Sequence, residues 1–337
     1  MPEITTYGDI SPRTAAHAAA QLLERGQHLM VTERFGQAKP LPKKHTQTVK
    51  FRRYESLARA TSPLAEGVTP PGQKLTKTDI TAVLQQYGDL VTITDVVRDT
   101  HEDPVLREGV DVAGEQIQET VEVIRISKLK AGSTVFYADS VASRSVVNGT
   151  IKAGDLRQIV RFFNKMKARK ISQIVKASAE VSTEPVAAAF FAMCHTDLIS
   201  DIRDTAGFVP VEQYSNSDKG LPGEVGKVEE IRFIATALFE PWMAAGASGT
   251  TYLSNGSIPS AAAACDVYPV IVVAQNAYGI VPLQGEGAVT PTVINPTPTK
   301  SDPLGQRGSI GWKTWQTVAI LNQSWLARYE VAATAKP

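Results

Sequence analysis

The sequence predicts an α+β fold. A long apolar stripe at helical spacing near residues 103–130, alternating strand-like segments on both sides of it, and the lack of any regular strand–helix succession carry that expectation. With 337 residues, the chain has room for two compact domains or for one core with long extensions. Apolar residues make up 43% and charged residues 20%, so a buried core is expected and chain-wide disorder is excluded.

Ser11 and Pro12, followed by Arg13 to Arg25 and then Gly26, read as a helix with an N-cap, a proline at the first position and a glycine stop. Its apolar content is mostly alanine, which buries little by itself, so this segment is expected to lie as an extended arm along something else. Pro40 and Pro42 break the chain next. Thr48 to Tyr54 then alternates Val49 and Phe51 against Lys50 and Arg52, the strand period. A second alternating segment, Thr78 to Asp95, carries Ile80, Ala82 and Leu84, then Val91 and Ile93. Pro63, Gly67, Pro70, Pro71 and Gly72 lie between the two, so they read as a long hairpin with a turn-rich tip. A connection this long either performs a task or is disordered, and the flanking strands favour a task.

The strongest helix signal begins at Asp103 and Pro104 and runs to Lys130, before Gly132. Leu106, Val110, Ala113, Ile117, Val121 and Ile124 form one apolar face, and the helix would be about 40 Å long at 1.5 Å per residue. Acidic residues crowd its first half and Arg125, Lys128 and Lys130 its end, as the helix dipole favours. Further helices are expected at Asp155 to Lys170 and Asp197 to Asp204. Strands are expected at Ile231 to Phe239, Val267 to Val273 and Val318 to Ala332, with a proline-rich surface crossing from Val289 to Pro303.

A net charge of +1 gives no chain-wide attraction to polyanions or acidic membranes. Met1 to Thr5 is neither basic nor apolar, so no secretory signal is expected. The longest apolar run, Val186 to Cys194, is far shorter than the ~20 residues a spanning helix needs, and no membrane partner is expected. Cys194 and Cys265 are too few for a disulfide framework and lack zinc-site spacing; two buried thiols in a reducing compartment are the expectation.

No motif points to catalysis, to a cofactor or to a metal. Gly220 to Val228 resembles a phosphate loop, but five residues separate Gly220 from Gly226 and Val228 stands where Ser or Thr must ligate magnesium; a glycine turn into a strand is expected. Cys194 beside His195 would need the two side chains to face one another, which chain neighbours seldom do. Thr196 as an N-cap and Asp197 in the first helical turn account for that stretch. Capping likewise accounts for Asp99 to Asp103. Arg161, Lys165, Lys167, Arg169 and Lys170 form a basic run that fits either a nucleic-acid backbone or the wet face of an amphipathic helix, and the wet face is the expectation.

Several long segments resemble the major capsid proteins of N4-like tailed bacteriophages. They include Gly8 to Ala15, Arg34 to Pro42, Thr48 to Tyr54, Leu64 to Pro70, Asp99 to Leu106, Asp266 to Val270, Ala277 to Leu283, Asp302 to Gly308 and Trp312 to Trp315. The resemblance spans nearly the whole chain and is least distinct between Gly132 and Ala187. It implies the HK97-like major capsid fold: an N-terminal arm (1–44), an E-loop hairpin (45–94), a P-domain (95–153 and 310–337) built on a spine helix at 103–130, and an A-domain (154–309). It also implies an E-loop that crosses onto a neighbouring subunit, and a shell of hexamers and pentamers enclosing double-stranded DNA through weak, non-specific contacts. Portal, scaffolding and decoration proteins are further candidate partners, and the location implied is the virion, assembled in the host cytoplasm. Beyond the family, Arg52, Arg53 and Arg59 are expected to meet Glu108, Asp111 and Glu115 on a neighbour's helix, opposite charges setting register. Two rival readings are a cellular nanocompartment shell of encapsulin type and a hydrolase using His195 or Cys194.

Overall fold

The computed structural model describes residues 30–42, 46–61, 63, 66–67, 69–70, 72–94, 105–176, 182–214, 220–282, 289–294, 303–304 and 306–335. The expected helix at 11–25 and the Asp99 to Asp103 cap lie outside these residues.

A five-stranded sheet runs in the order β1 (Gln37–Ala38), β14 (Tyr278–Pro282), β16 (Arg307–Ile320), β15 (Val289–Ile294). Along β16 also lies β4 (Gln85–Thr94), antiparallel from Thr94 opposite Arg307 to Gln85 opposite Gln316. Helix α1 (Val105–Lys130) covers this sheet, burying Val110, Ala113, Ile117 and Val121 against Ile93, Ile310 and Trp312. An eight-stranded sheet has the order β5 (Val135–Tyr137), β17 (Leu326–Val331), β13 (Tyr268–Val273), β7 (Ser182–Cys194), β10 (Ile231–Ala235), β9 (Glu224–Val228), β8 (Phe208–Pro210), with β6 (Ile171–Lys176) also on β7. Its centre is buried on both faces: every residue of β13 and Phe190 to Cys194 of β7 are inaccessible, as a continuous apolar run requires. Helix α2 (Ala153–Lys165) seals one side through Leu156, Ile159 and Phe163. Short helix α3 (Ile199–Arg203) packs through Ile202. A short ribbon pairs β11 (Ser248–Gly249) with β12 (Ala263–Ala264), and β2 (Thr48–Tyr54) with β3 (Lys77–Val83) makes the hairpin.

Five expectations change, the first being that Val289–Ile294, expected within a proline-rich surface crossing, is strand β15, antiparallel to β16 from Val289 opposite Thr314 to Ile294 opposite Ser309. The segment 78–95 is two strands, because Leu84 turns inward (2% exposed) and exchanges hydrogen bonds with Gln47, after which the chain leaves β2 and pairs with β16. The segment 318–332 is also two strands. Asn322 caps a 3-10 turn at Gln323–Trp325, so β16 serves the five-stranded sheet and β17 the eight-stranded one. The strand expected to reach Phe239 ends at Ala235. Helix α2 stops at Lys165 instead of 170, since Lys167 takes a left-handed conformation (φ 53°) and the amides of Met166 and Ala168 bond back to Phe162 and Phe163.

Candidate assembly surface

The hairpin is rooted at one end only. Val49, Phe51, Ala82 and Leu84 bury against Val281, and Lys39 Nζ lies 5.3 Å from the centre of the Phe51 ring. That ring lies against Gly279, where a Cβ would stand 2.7 Å from it, so only glycine admits this approach. Above the root, Arg52 faces Asp79 across the ladder and grips it through Nε (2.9 Å) and Nη2 (3.2 Å). Arg53 Nη2 and Thr78 Oγ1 donate to Glu55 Oε1 at 3.0 and 2.7 Å. Hydrogen bonding to Arg52 holds the Asp79 carboxyl below its ordinary pKa, and Thr78 and Arg53 do the same for Glu55. Beyond Glu55, the described residues up to Asp79 are all exposed, with Leu57 at 55% and Leu75 at 63%. An isolated two-stranded ribbon is marginal in water, and apolar side chains at its tip call for a partner.

The residues expected to mediate charge contacts divide accordingly. Arg52 and Arg53 are already engaged with Asp79 and Glu55 of their own hairpin, while Arg59 is exposed on the distal segment. Asp111 and Glu115 are half-buried on α1, and Glu108 lies in its first turn.

A second feature carries no motif. Glu122 of α1 is fully buried; its Oε1 accepts from the amides of Val31 (3.0 Å) and Thr32 (2.8 Å), and its Oε2 from Thr32 Oγ1 (2.6 Å). Arg125, 4% exposed, reaches Glu33 Oε2 at 3.2 Å, and the Tyr278 hydroxyl donates to the Thr32 carbonyl. Phe35 stacks on Phe191 at 4.4 Å. Burial pushes the Glu122 carboxyl up in pKa, opposed by Arg125 and by the donors on Thr32 and Val31. The chain entering from the amino-terminal side is thus clamped across the middle of α1. Gln118, Glu122 and Arg125 are buried where the sequence stripe would place solvent, whereas Ile124 is only half-buried.

The Cys194–His195 stretch lies where β7 ends and a 3-10 turn at Thr196–Leu198 begins. Cys194 is fully buried, points its Sγ at the Ile234 carbonyl (3.6 Å), and burial pushes its thiol up to about 12. Cys265 is also a buried free thiol. The cap is His195 and not Thr196: His195 Nδ1 accepts from the Asp197 amide at 3.1 Å, and Asp197 Oδ2 accepts from Tyr268 at 2.8 Å. Cys194 Sγ thus faces a backbone carbonyl, while His195 Nδ1 lies against the amide of Asp197 and, at 3.2 Å, its Oδ2. Gly223 (φ 82°) turns the chain into β9, as a glycine turn should. Among the described residues, no group of three or more His, Cys, Asp or Glu is placed to hold a metal, and no helix is long and apolar enough to cross a membrane.

Residues 77–331 match the family model described as phage capsid protein. The major capsid protein of Pseudomonas phage KPP21 is 22% identical over 234 residues, which cover 64% of this chain and 57% of that protein. The chain thus spans little more than half the length of the curated relative it matches. Among solved structures, the capsid of Ralstonia phage GP4 superposes with a TM-score of 0.66 at 9% identity, covering 90% of this chain and 88% of that one. The SrpI encapsulin of Synechococcus elongatus PCC 7942 gives 0.50 at 11% identity, covering 98% and 92%. At such identities the likeness is one of fold, and that fold is the α+β, HK97-like one the sequence resemblance implied.

Proposed function

Because this chain belongs to the phage capsid protein family, we propose that it is the major capsid protein of a tailed phage, closing an icosahedral shell with further copies of itself. The hairpin carries this reading. Its root is packed, its distal half has apolar side chains and no cover among the described residues, and a neighbouring subunit would supply that cover. The subunit then works as a building block and not as a catalyst, with double-stranded DNA inside the shell and the virion as its location.

The division into arm (1–44), E-loop (45–94), P-domain (95–153 and 310–337) and A-domain (154–309) belongs to this proposal. The sheets favour one amendment, with 326–331 counted in the A-domain beside β13 and 278–282 and 289–294 in the P-domain beside β16. Register between subunits is proposed to rest on Arg59 of the hairpin and on Glu108, Asp111 and Glu115 of a neighbour's α1. Arg52 and Arg53 stiffen the ribbon that presents Arg59.

Electron microscopy of the expressed chain tests the reading: closed particles of one diameter are expected, and a monodisperse monomer under all assembly conditions contradicts it. A nanocompartment shell is the second reading, supported by the SrpI likeness. Nuclease-resistant DNA in particles from infected cells favours the phage reading, and protein cargo the other.

A further inference from the structure

We infer that the basic edge formed by the end of α2 and the turn after it, Arg161, Lys165, Lys167 and Arg169, binds the phosphate backbone of double-stranded DNA and therefore faces the shell interior. The inference rests on the shell reading, in which an enclosed duplex meets one entire face of every subunit.

All four side chains are exposed, and none forms an ion pair among the described residues. Neighbouring carboxylates are already committed: Glu229 pairs with Arg157 at 2.8 Å and Glu230 with Lys170 at 3.1 Å, while Asp155 accepts from the Tyr329 hydroxyl at 2.8 Å. Helix α2 turns Leu156, Ile159 and Phe163 inward, which puts Arg161 and Lys165 one turn apart on the outer side. Like charges at that spacing repel and cost a few tenths of a kcal/mol. The repulsion continues through Lys167, whose left-handed backbone favours glycine over any side chain that has a Cβ. A row of cations held against both costs is relieved by a partner of continuous negative charge.

A duplex fits this better than an acidic protein segment. Protein interfaces interleave both signs, whereas here four cations follow one another with no anion between them, matching a backbone whose charges are all of one sign. Arg161 and Lys165 also line an open cleft of about 420 Å³ together with Phe136, Phe162 and Val141, so two of the four cations stand on a concave surface.

Unassembled full-length chain is titrated with a blunt, mixed-sequence 20-base-pair DNA duplex across a salt series, beside the variant Arg161→Gln/Lys165→Gln/Lys167→Gln/Arg169→Gln and the single variant Lys165→Gln. Each phosphate contact contributes about 0.9 to the slope of log affinity against log salt. The fourfold variant should therefore flatten that slope by roughly 3 to 4, and Lys165→Gln by about 1. Circular dichroism and melting, unchanged for exposed substitutions, establish that the variants fold. An unaltered slope in the fourfold variant overturns the inference, as does tighter binding of a poly-glutamate peptide than of a duplex of equal charge. Shell formation by the unaltered chain is scored separately: its failure sinks the capsid reading, while the slope alone decides the role of this edge.

Discussion

Glu122, in the interior of α1, accepts hydrogen bonds from both the amide and the hydroxyl of Thr32, 90 residues earlier in the chain. A buried carboxylate is costly unless its lone pairs are met, and here the partner is the segment that leads in from the amino-terminal side. Residues 31–35 are therefore fixed by the polar contacts of Glu122 and Arg125 on α1 and by Phe35 stacked on Phe191.

Replacing Glu122 by alanine strands the amides of Val31 and Thr32 and removes a countercharge of Arg125. A loss of about 3 kcal/mol is expected, from unmet buried donors at ~1–3 kcal/mol each. Glu122→Gln keeps one acceptor and should lose less. The urea midpoint at constant m-value reads both.

The same contact has a pH signature. Because burial raises the Glu122 carboxyl, its contribution is fully present below the ordinary glutamate pKa and declines as pH rises through its own raised one. The unfolding midpoint of the native chain should fall more over that rise than that of Glu122→Gln. Equal pH profiles for the two would contradict the assignment.

Cys194 should resist alkylation in the folded chain. With its thiol at about 12 instead of near 9, its contribution to stability is present below pH 9 and is lost as pH climbs from 9 to about 12. Iodoacetamide at pH 8 should leave it unlabelled until denaturant is added.

Gly279→Ala tests the hairpin root. The added Cβ would meet the Phe51 ring at 2.7 Å, and overpacking of this kind costs about 1–3 kcal/mol. A lower melting temperature together with a lower yield of shells is expected. An unchanged melt would mean that the ring yields freely.

Arg59→Glu should lower shell yield several-fold and leave the melting of the isolated chain unchanged, because Arg59 makes no ion pair within its own chain among the described residues. A compensating reversal at Glu108, Asp111 or Glu115 should restore yield in part. Arg52→Glu differs: it removes the Asp79 pair and loosens the hairpin before assembly.

Where one periodicity governed one environment, the elements were legible in the sequence. Thr48–Tyr54 alternates because a single face is packed, and Val105–Lys130 keeps a stripe because one side meets the sheet. Where a segment changes partner, periodicity misleads. Leu84 and Asn322 each sit at a handover between ladders that leaves the composition unchanged, so two strands read as one. The apolar run 186–194 was legible as too short for a membrane, yet its central place in a sheet depends on long-range pairing with β10 and β13. Glu122 was hidden for a related reason. Acidic residues in a helix read as solvent-facing, and only a polar segment docking from 90 positions away makes burial tolerable. Gln118, Glu122 and Arg125 at helical spacing, continued by Leu129, were the available signal.

Hydrogen exchange on the amides of residues 55–83, compared between dissociated subunits and closed particles, addresses the dependence of this ribbon on adjoining copies most directly. Slowing by more than tenfold in the particle, concentrated between Glu55 and Asp79, is the predicted result. Identical exchange in both states would mean that the hairpin gains nothing from its neighbours, and the shell reading of this surface would fall.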